Sequence, residues 1–139
     1  MEDKEVFVGI DGDSIGDLVQ EVLEYDNVEL AKIISLTIKS AQDAVIDIIE
    51  MFGGEVIFQG GDNTFAKMKY DMDIFESMIK AYKEVSGHTA TVGVGNTPKE
   101  SHRAMVVGKE VLGKGLVVVY NDAVENAYQK LVQERSIKE

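Results

Sequence analysis

Residues 55–69 read EVIFQGGDNTFAKMK. Two short runs rich in β-branched, aromatic and other apolar residues flank the four residues GGDN, the pattern of a β-hairpin. Gly-Gly and Asp-Asn are turn formers because they accept backbone angles closed to bulkier residues. On either side of the hairpin the apolar period changes from two to about 3.6. Upstream, Ile34, Ile38, Ala41, Val45, Ile48, Ile49 and Phe52 recur at three- and four-residue spacing, and Gly53 and Gly54 close that helix. Downstream, Ile74, Phe75, Met78, Ile79 and Tyr82 repeat the pattern until Gly87 and His88, with Asp71 or Asp73 near the start. A hairpin bracketed by two helices needs strands outside them to complete a sheet. The chain supplies EVFVGI (5–10) before and TATVGVG (89–95) after. Strand, helix, hairpin, helix, strand is the split βαβ order.

The remaining segments extend this frame. After the first strand, DGDSIGD leads into a short helix bearing Ile15, Leu18, Val19, Val22 and Leu23, with Asp13 or Ser14 as its cap. EYDN interrupts, and Asn27 caps the long helix. Thr97 and Pro98 open a further helix that runs through Ala104, Met105, Val107 and Val111 to Gly113. LVVVY (116–120) is a last strand, and an amphipathic helix over about 122–135 follows. The expected fold is one α+β domain over residues 1–139, its core about 5–120. Its sheet is ferredoxin-like and antiparallel or mixed, with helices mainly on one face, an extra strand and a C-terminal helix. Phe58 and Phe65 are expected in the core. Met51, Met68, Met72, Met78 and Met105 read as gap-fillers.

Charge narrows the partners. The formal net charge is −11, which repels phosphate backbones, so stable binding to long nucleic acid is not expected. A small phosphorylated ligand is compatible if divalent cations reverse the sign at one site. The chain has no cysteine, which excludes disulfides and thiolate metal sites. MEDKEVFVGID lacks a basic segment followed by an apolar one, so no signal peptide is read. The apolar runs fall far short of the roughly 20 residues of a membrane span, and a cytoplasmic protein is expected.

Three features can carry chemistry. In IDGDSIGD a strand ends at Asp11, where carboxylates beside exposed carbonyls are hard oxygen ligands suited to Mg²⁺ or Mn²⁺. The helix that follows offers backbone N–H groups for phosphate; the plain alternative is a capped strand-to-helix loop. The second feature is GGDN. In a split βαβ sheet the first strand lies beside the hairpin, so Asp11 and Asp62 can share a metal, or a pair of ions roughly 3.5–4 Å apart. The third is MVVGKEVLGKG, where Lys109 and Lys114 either favour a helix C-terminus or contact a triphosphate. His88 and His102 form no metal pattern, although His102 shares a helix face with Lys109.

Together, IDGD at the end of the first strand, GGDN in a hairpin and a lysine-bearing helix after TVGVG resemble the palm-type nucleotide cyclase and polymerase superfamily. In so short a chain they look most like the stand-alone minimal CRISPR polymerases. The resemblance spans about Val6 to Tyr120. It implies a palm domain that uses two divalent ions, Mg²⁺ or Mn²⁺, to direct a ribose hydroxyl at an α-phosphate with loss of pyrophosphate. Asp11 and Asp62 would be the catalytic metal ligands, assisted by the Ile10 or Gly12 carbonyl and by Asp13. Gly12, Asp13, Ser14, Gly60, Gly61, Asn63, Lys109 and Lys114 would face the nucleotide. The implied product is a cyclic oligonucleotide, in first place a cyclic dinucleotide, made by a homodimer and read in antiviral defence by a separate effector protein. Asn63 departs from the acid that follows the Asp in GGDEF enzymes, and the diguanylate-cyclase guanine pattern and RxxD motif are absent. ATP is therefore the expected substrate, with GTP second. The alternatives are ring hydrolysis of GTP, as in the GGDN-bearing GTP cyclohydrolase III, and a nucleotide sensor without turnover.

Overall fold

Val6, Val8 and Ile10 alternate with Phe7, Gly9 and Asp11 along the first strand, β1 (Glu5–Gly12). Both sets are used, because β1 lies in the middle of a sheet that carries helices on its two faces. In the computed structural model, which describes residues 4–138, the order continues α1 (Ile15–Glu24), α2 (Val28–Met51), β2 (Glu55–Gln59), β3 (Asn63–Lys69), α3 (Met72–Ser86), β4 (Ala90–Gly95), α4 (Pro98–Val107), β5 (Val117–Val119) and α5 (Asp122–Lys138). Among the described residues the five strands form one sheet in the order β2-β3-β1-β4-β5. All neighbours are antiparallel except β4 and β5. The α+β fold and its split βαβ core are those expected. β1 runs on through Gly12 because Asp11 pairs with Asn63 on one side and Thr91 on the other.

One face of the sheet buries Val6, Val8, Ile10, Ala66, Met68, Val92 and Val94 against the stripe of α2 and against Phe75, Met78 and Tyr82 of α3. α4 lies across the opposite face. Its approach depends on Gly93: a Cβ there would sit 2.4 Å from the Ser101 carbonyl oxygen and 2.6 Å from the Met105 nitrogen. Ser101 fastens the contact by donating its hydroxyl to the Gly93 carbonyl at 2.8 Å. Backbone atoms cannot rotate away, so Gly93→Ala is expected to lift α4 and cost about 1–3 kcal/mol. The measurement is a lower denaturant midpoint at unchanged m-value. Gly16→Ala is the control: a Cβ there meets nothing within 4 Å, and stability should hold or rise slightly.

Several expectations need correction. Phe58 and Met51 are 55 % and 75 % exposed, because β2 is an edge strand and Met51 ends α2. Phe52, counted in the stripe, is the C-cap of α2 and 53 % exposed. Ser14 stands at the start of α1 but makes no side-chain capping bond. Asn27, Asp71 and Thr97 do cap their helices. The helix expected to reach Gly113 is α-helical only to Val107; Gly108–Leu112 widens into a π-turn, and Gly113 stops it in the left-handed region at φ 102°. No described helix is long and apolar enough to cross a membrane.

Candidate active site

The end of β1 and the tip of the β2–β3 hairpin are stitched together. The Gly12 N–H donates to the Asp62 carbonyl at 3.0 Å. The Gly61 carbonyl, one residue earlier, accepts from the Gln42 side chain of α2 at 3.0 Å. Gly60 and Gly61 serve different ends, and neither adopts positive φ. A Cβ on Gly60 would lie 2.3 Å from Asn63 Oδ1, so the asparagine side chain claims that space. A Cβ on Gly61 would meet nothing within 4 Å, which leaves this stretch of backbone open to a ligand.

Both candidate lysines reach the same strand end. Lys109 Nζ donates to the Gly12 carbonyl at 2.8 Å and lies 3.2 Å from Asp11 Oδ2 and 3.6 Å from Asp13 Oδ1. Lys114 Nζ donates to Ser14 Oγ at 2.7 Å. The π-turn places Lys109 here, and Gly108 allows it to pack: a Cβ on Gly108 would press on Thr91 and Val118 at 2.8 and 2.9 Å.

Asp13, expected among the metal ligands and as a helix cap, is engaged elsewhere. It is buried, and its oxygens accept from Thr89 Oγ1 at 2.7 Å, Thr91 Oγ1 at 2.8 Å and the Gly115 N–H at 3.1 Å. It thereby ties the β1–α1 loop to β4 and to the segment carrying Lys114. Thr89 and Thr91 carry no sequence mark beyond strand propensity.

Burial pushes the Asp11 carboxyl up, Lys109 pulls it down and Asp62 pushes it up again, with a net rise from 3.8 to about 6. A carboxyl raised on folding binds its proton more tightly in the folded chain. Its contribution to stability is therefore complete below about pH 4 and lost as pH rises through about 6. Without divalent cations, the melting temperature should fall between pH 5 and pH 7. Asp11→Asn should flatten that fall, which thermal scans at both pH values will show. Tyr82 lies beneath Gly12, where a Cβ would be 2.2 Å from its hydroxyl. Burial and the charges of Asp62, Asp11 and Asp13 raise its phenol, so it stays protonated, and its buried hydroxyl has no hydrogen-bond partner among the described residues.

The donor set fits a hard divalent cation. Asp11 Oδ1 is buried and has no hydrogen-bond partner. Asp62 stands close enough to raise the Asp11 carboxyl by its charge. The Gly12 carbonyl and Asp11 Oδ2 both face Lys109 Nζ, at 2.8 and 3.2 Å. Among the described residues no cluster of three or more metal-binding side chains occurs. Mg²⁺ does not need one, since it is commonly held by one or two carboxylates with substrate phosphates and water completing the shell.

Residues 7–120 match the minimal CRISPR polymerase domain. The chain belongs to the minimal CRISPR polymerase family. Solved structures agree on the fold of this family member. The GGEEF domain of a diguanylate cyclase from Vibrio cholerae superposes with a TM-score of 0.56 at 9 % identity, covering 85 % of this chain and 83 % of that one. A bacterial light-regulated adenylyl cyclase gives 0.63 at 12 %, covering 88 % and 44 %. A Csm1–Csm4 cassette in complex with cA4 gives 0.61 at 17 %, covering 84 % and 21 %. No curated protein matches in sequence.

Two hollows flank the acid pair. A cleft of about 270 Å³ between β1, β3 and α4 runs from Gly9 and Phe65 past Asp11 to His102 and Lys109. On the other side, a groove between α1 and α2, walled by Ile15, Val19 and Ile34, ends at Gly61 and Asp62.

Proposed function

We propose that the chain is a metal-dependent nucleotidyltransferase that joins nucleoside triphosphates into a cyclic oligonucleotide. ATP is the expected substrate and a cyclic dinucleotide the expected product. The observation that carries this reading is the meeting of the Asp11 strand end and the Asp62 hairpin tip beside Lys109. Asp11, Asp62 and the Gly12 or Ile10 carbonyl would hold Mg²⁺ or Mn²⁺, which when bound supplies Lewis-acid stabilisation of charge at the α-phosphate and on the departing pyrophosphate. Lys109 and Lys114 provide point charges for the triphosphate. Ser14 and the backbone at the start of α1 offer it further donors. Gly61 leaves room for the nucleotide beside Asp62. Asp13 braces the loop that carries these groups.

Joining two nucleotides calls for two such sites facing each other, so a two-fold homodimer is part of the proposal. Leu23, Val28, Leu30, Ile33 and Leu36, each 40–66 % exposed, support it, because so much apolar surface marks an interface. Family membership supports a role in antiviral defence, with the product read by a separate effector. The test is incubation of the protein with each NTP and Mg²⁺ or Mn²⁺, followed by pyrophosphate assay and mass spectrometry. Pyrophosphate together with a cyclic product is the expected result. GTP loss without a phosphodiester would point to ring hydrolysis instead, and tight nucleotide binding without turnover to a sensor.

A further inference from the structure

Gln42 stands on the buried arc of α2, four residues after Ile38 and three before Val45, with 3 % of its surface exposed. A primary amide among aliphatic side chains costs about 1–3 kcal/mol unless its polar atoms are paired. Its partners both come from the hairpin. Nε2 donates to the Gly61 carbonyl at 3.0 Å, and Oε1 accepts from Gln59 Nε2 at 3.1 Å. The second bond decides the first: with Oε1 held by Gln59, the donor end of the amide is turned to Gly61. The next residue is Asp62, whose carbonyl holds the Gly12 N–H at 3.0 Å. The hairpin tip is thus fastened from β1 and from α2.

We propose that Gln42 is a positioning residue that holds the Asp62 carboxylate against Asp11, with Gln59 setting the direction of its amide. The inference rests on the nucleotidyltransferase reading above for its consequence in catalysis, but not for its geometry. Residues behind metal ligands commonly change metal affinity 10–100-fold when removed, because the ligand loses its aim.

Two variants test it. Gln42→Glu keeps the size and the bond from Gln59 but loses the donor to Gly61. Gln59→Ala lies on an exposed strand and leaves the core intact. Amide hydrogen exchange is the first readout. In both variants the Gly12 and Gly60 amides should exchange about 10-fold faster or more, while Val8 and Val92 stay as in the parent. The second readout is the Mn²⁺ concentration giving half-maximal product, expected to rise on the order of 10-fold, with kcat at saturating Mn²⁺ changed far less. The added charge of Gln42→Glu would by itself tighten cation binding, so weaker binding identifies the lost aim. The double variant should be no worse than Gln42→Glu alone, since Gln59 acts through Gln42. A lower melting temperature with unchanged Gly12 and Gly60 exchange and an unchanged Mn²⁺ midpoint would overturn the proposal. If the parent turns over no nucleotide, the functional reading fails while exchange still decides: faster exchange upholds the positioning role and unchanged exchange overturns it.

Discussion

Asp62→Ala is expected to lower product formation by at least about a thousand-fold while moving the melting temperature by no more than about two degrees. The two halves of that result have separate causes. Asp62 is fastened to β1 by its main chain, whose carbonyl accepts the Gly12 N–H, while its side chain meets the Asp11 carboxyl and raises it. Alanine keeps that carbonyl, so the hairpin stays in place. The side chain, by contrast, is one of the two carboxylates proposed to hold the metal, and a thousand-fold corresponds to about 4 kcal/mol of transition-state stabilisation. Pyrophosphate release at saturating Mg²⁺ and Mn²⁺, beside a thermal scan, measures both. Full activity in this variant would sink the metal reading of the acid pair.

Lys109→Met should be the other severe loss, about a hundred-fold or more in kcat/KM, and here stability is expected to fall as well. Lys109 is partly buried, and its ammonium serves Asp11, Asp13 and the Gly12 carbonyl together. Methionine leaves those acids facing each other without a cation. Lys109→Arg keeps the charge but not the compact ammonium that fits this seat, so recovery should be partial. Lys114 is exposed and its ammonium bonds Ser14 alone among the contacts described, so Lys114→Ala should cost only a few-fold. Steady-state kinetics on the three variants separate these outcomes; equal losses at Lys109 and Lys114 would contradict the unequal roles.

The sheet was legible because its determinants are local. Alternation in EVFVGI and TATVGVG, and GGDN between two apolar runs, identify strands and a turn without knowledge of neighbours. The split βαβ order then brings β1 against β3 and Asp11 toward Asp62. What stayed hidden depends on distant partners. Asp13 looked like a loop acid or ligand because Thr89, Thr91 and Gly115, which hold it, lie 76, 78 and 102 residues away. Phe58 looked like core because nothing in its own strand announces that β2 is an edge strand whose register shifts between Val56 and Phe58. Gln42 carried a readable mark: it is the one polar residue at a core position of the α2 stripe, at 38 plus four and 45 minus three. A polar residue on that arc asks for a buried partner, and the hairpin provides it.

The widened turn at Gly108–Leu112 constrains chain length as well as composition. Removing one residue between Ser101 and Lys109 could leave a perfectly good α-helix, yet each residue of such a helix advances about 100°. The lysine would then swing away from the Gly12 carbonyl although every side chain at the site remained. Insertions and deletions in this helix are therefore as informative about the site as substitutions, and two sequences with the same lysine need not place it at the same acids.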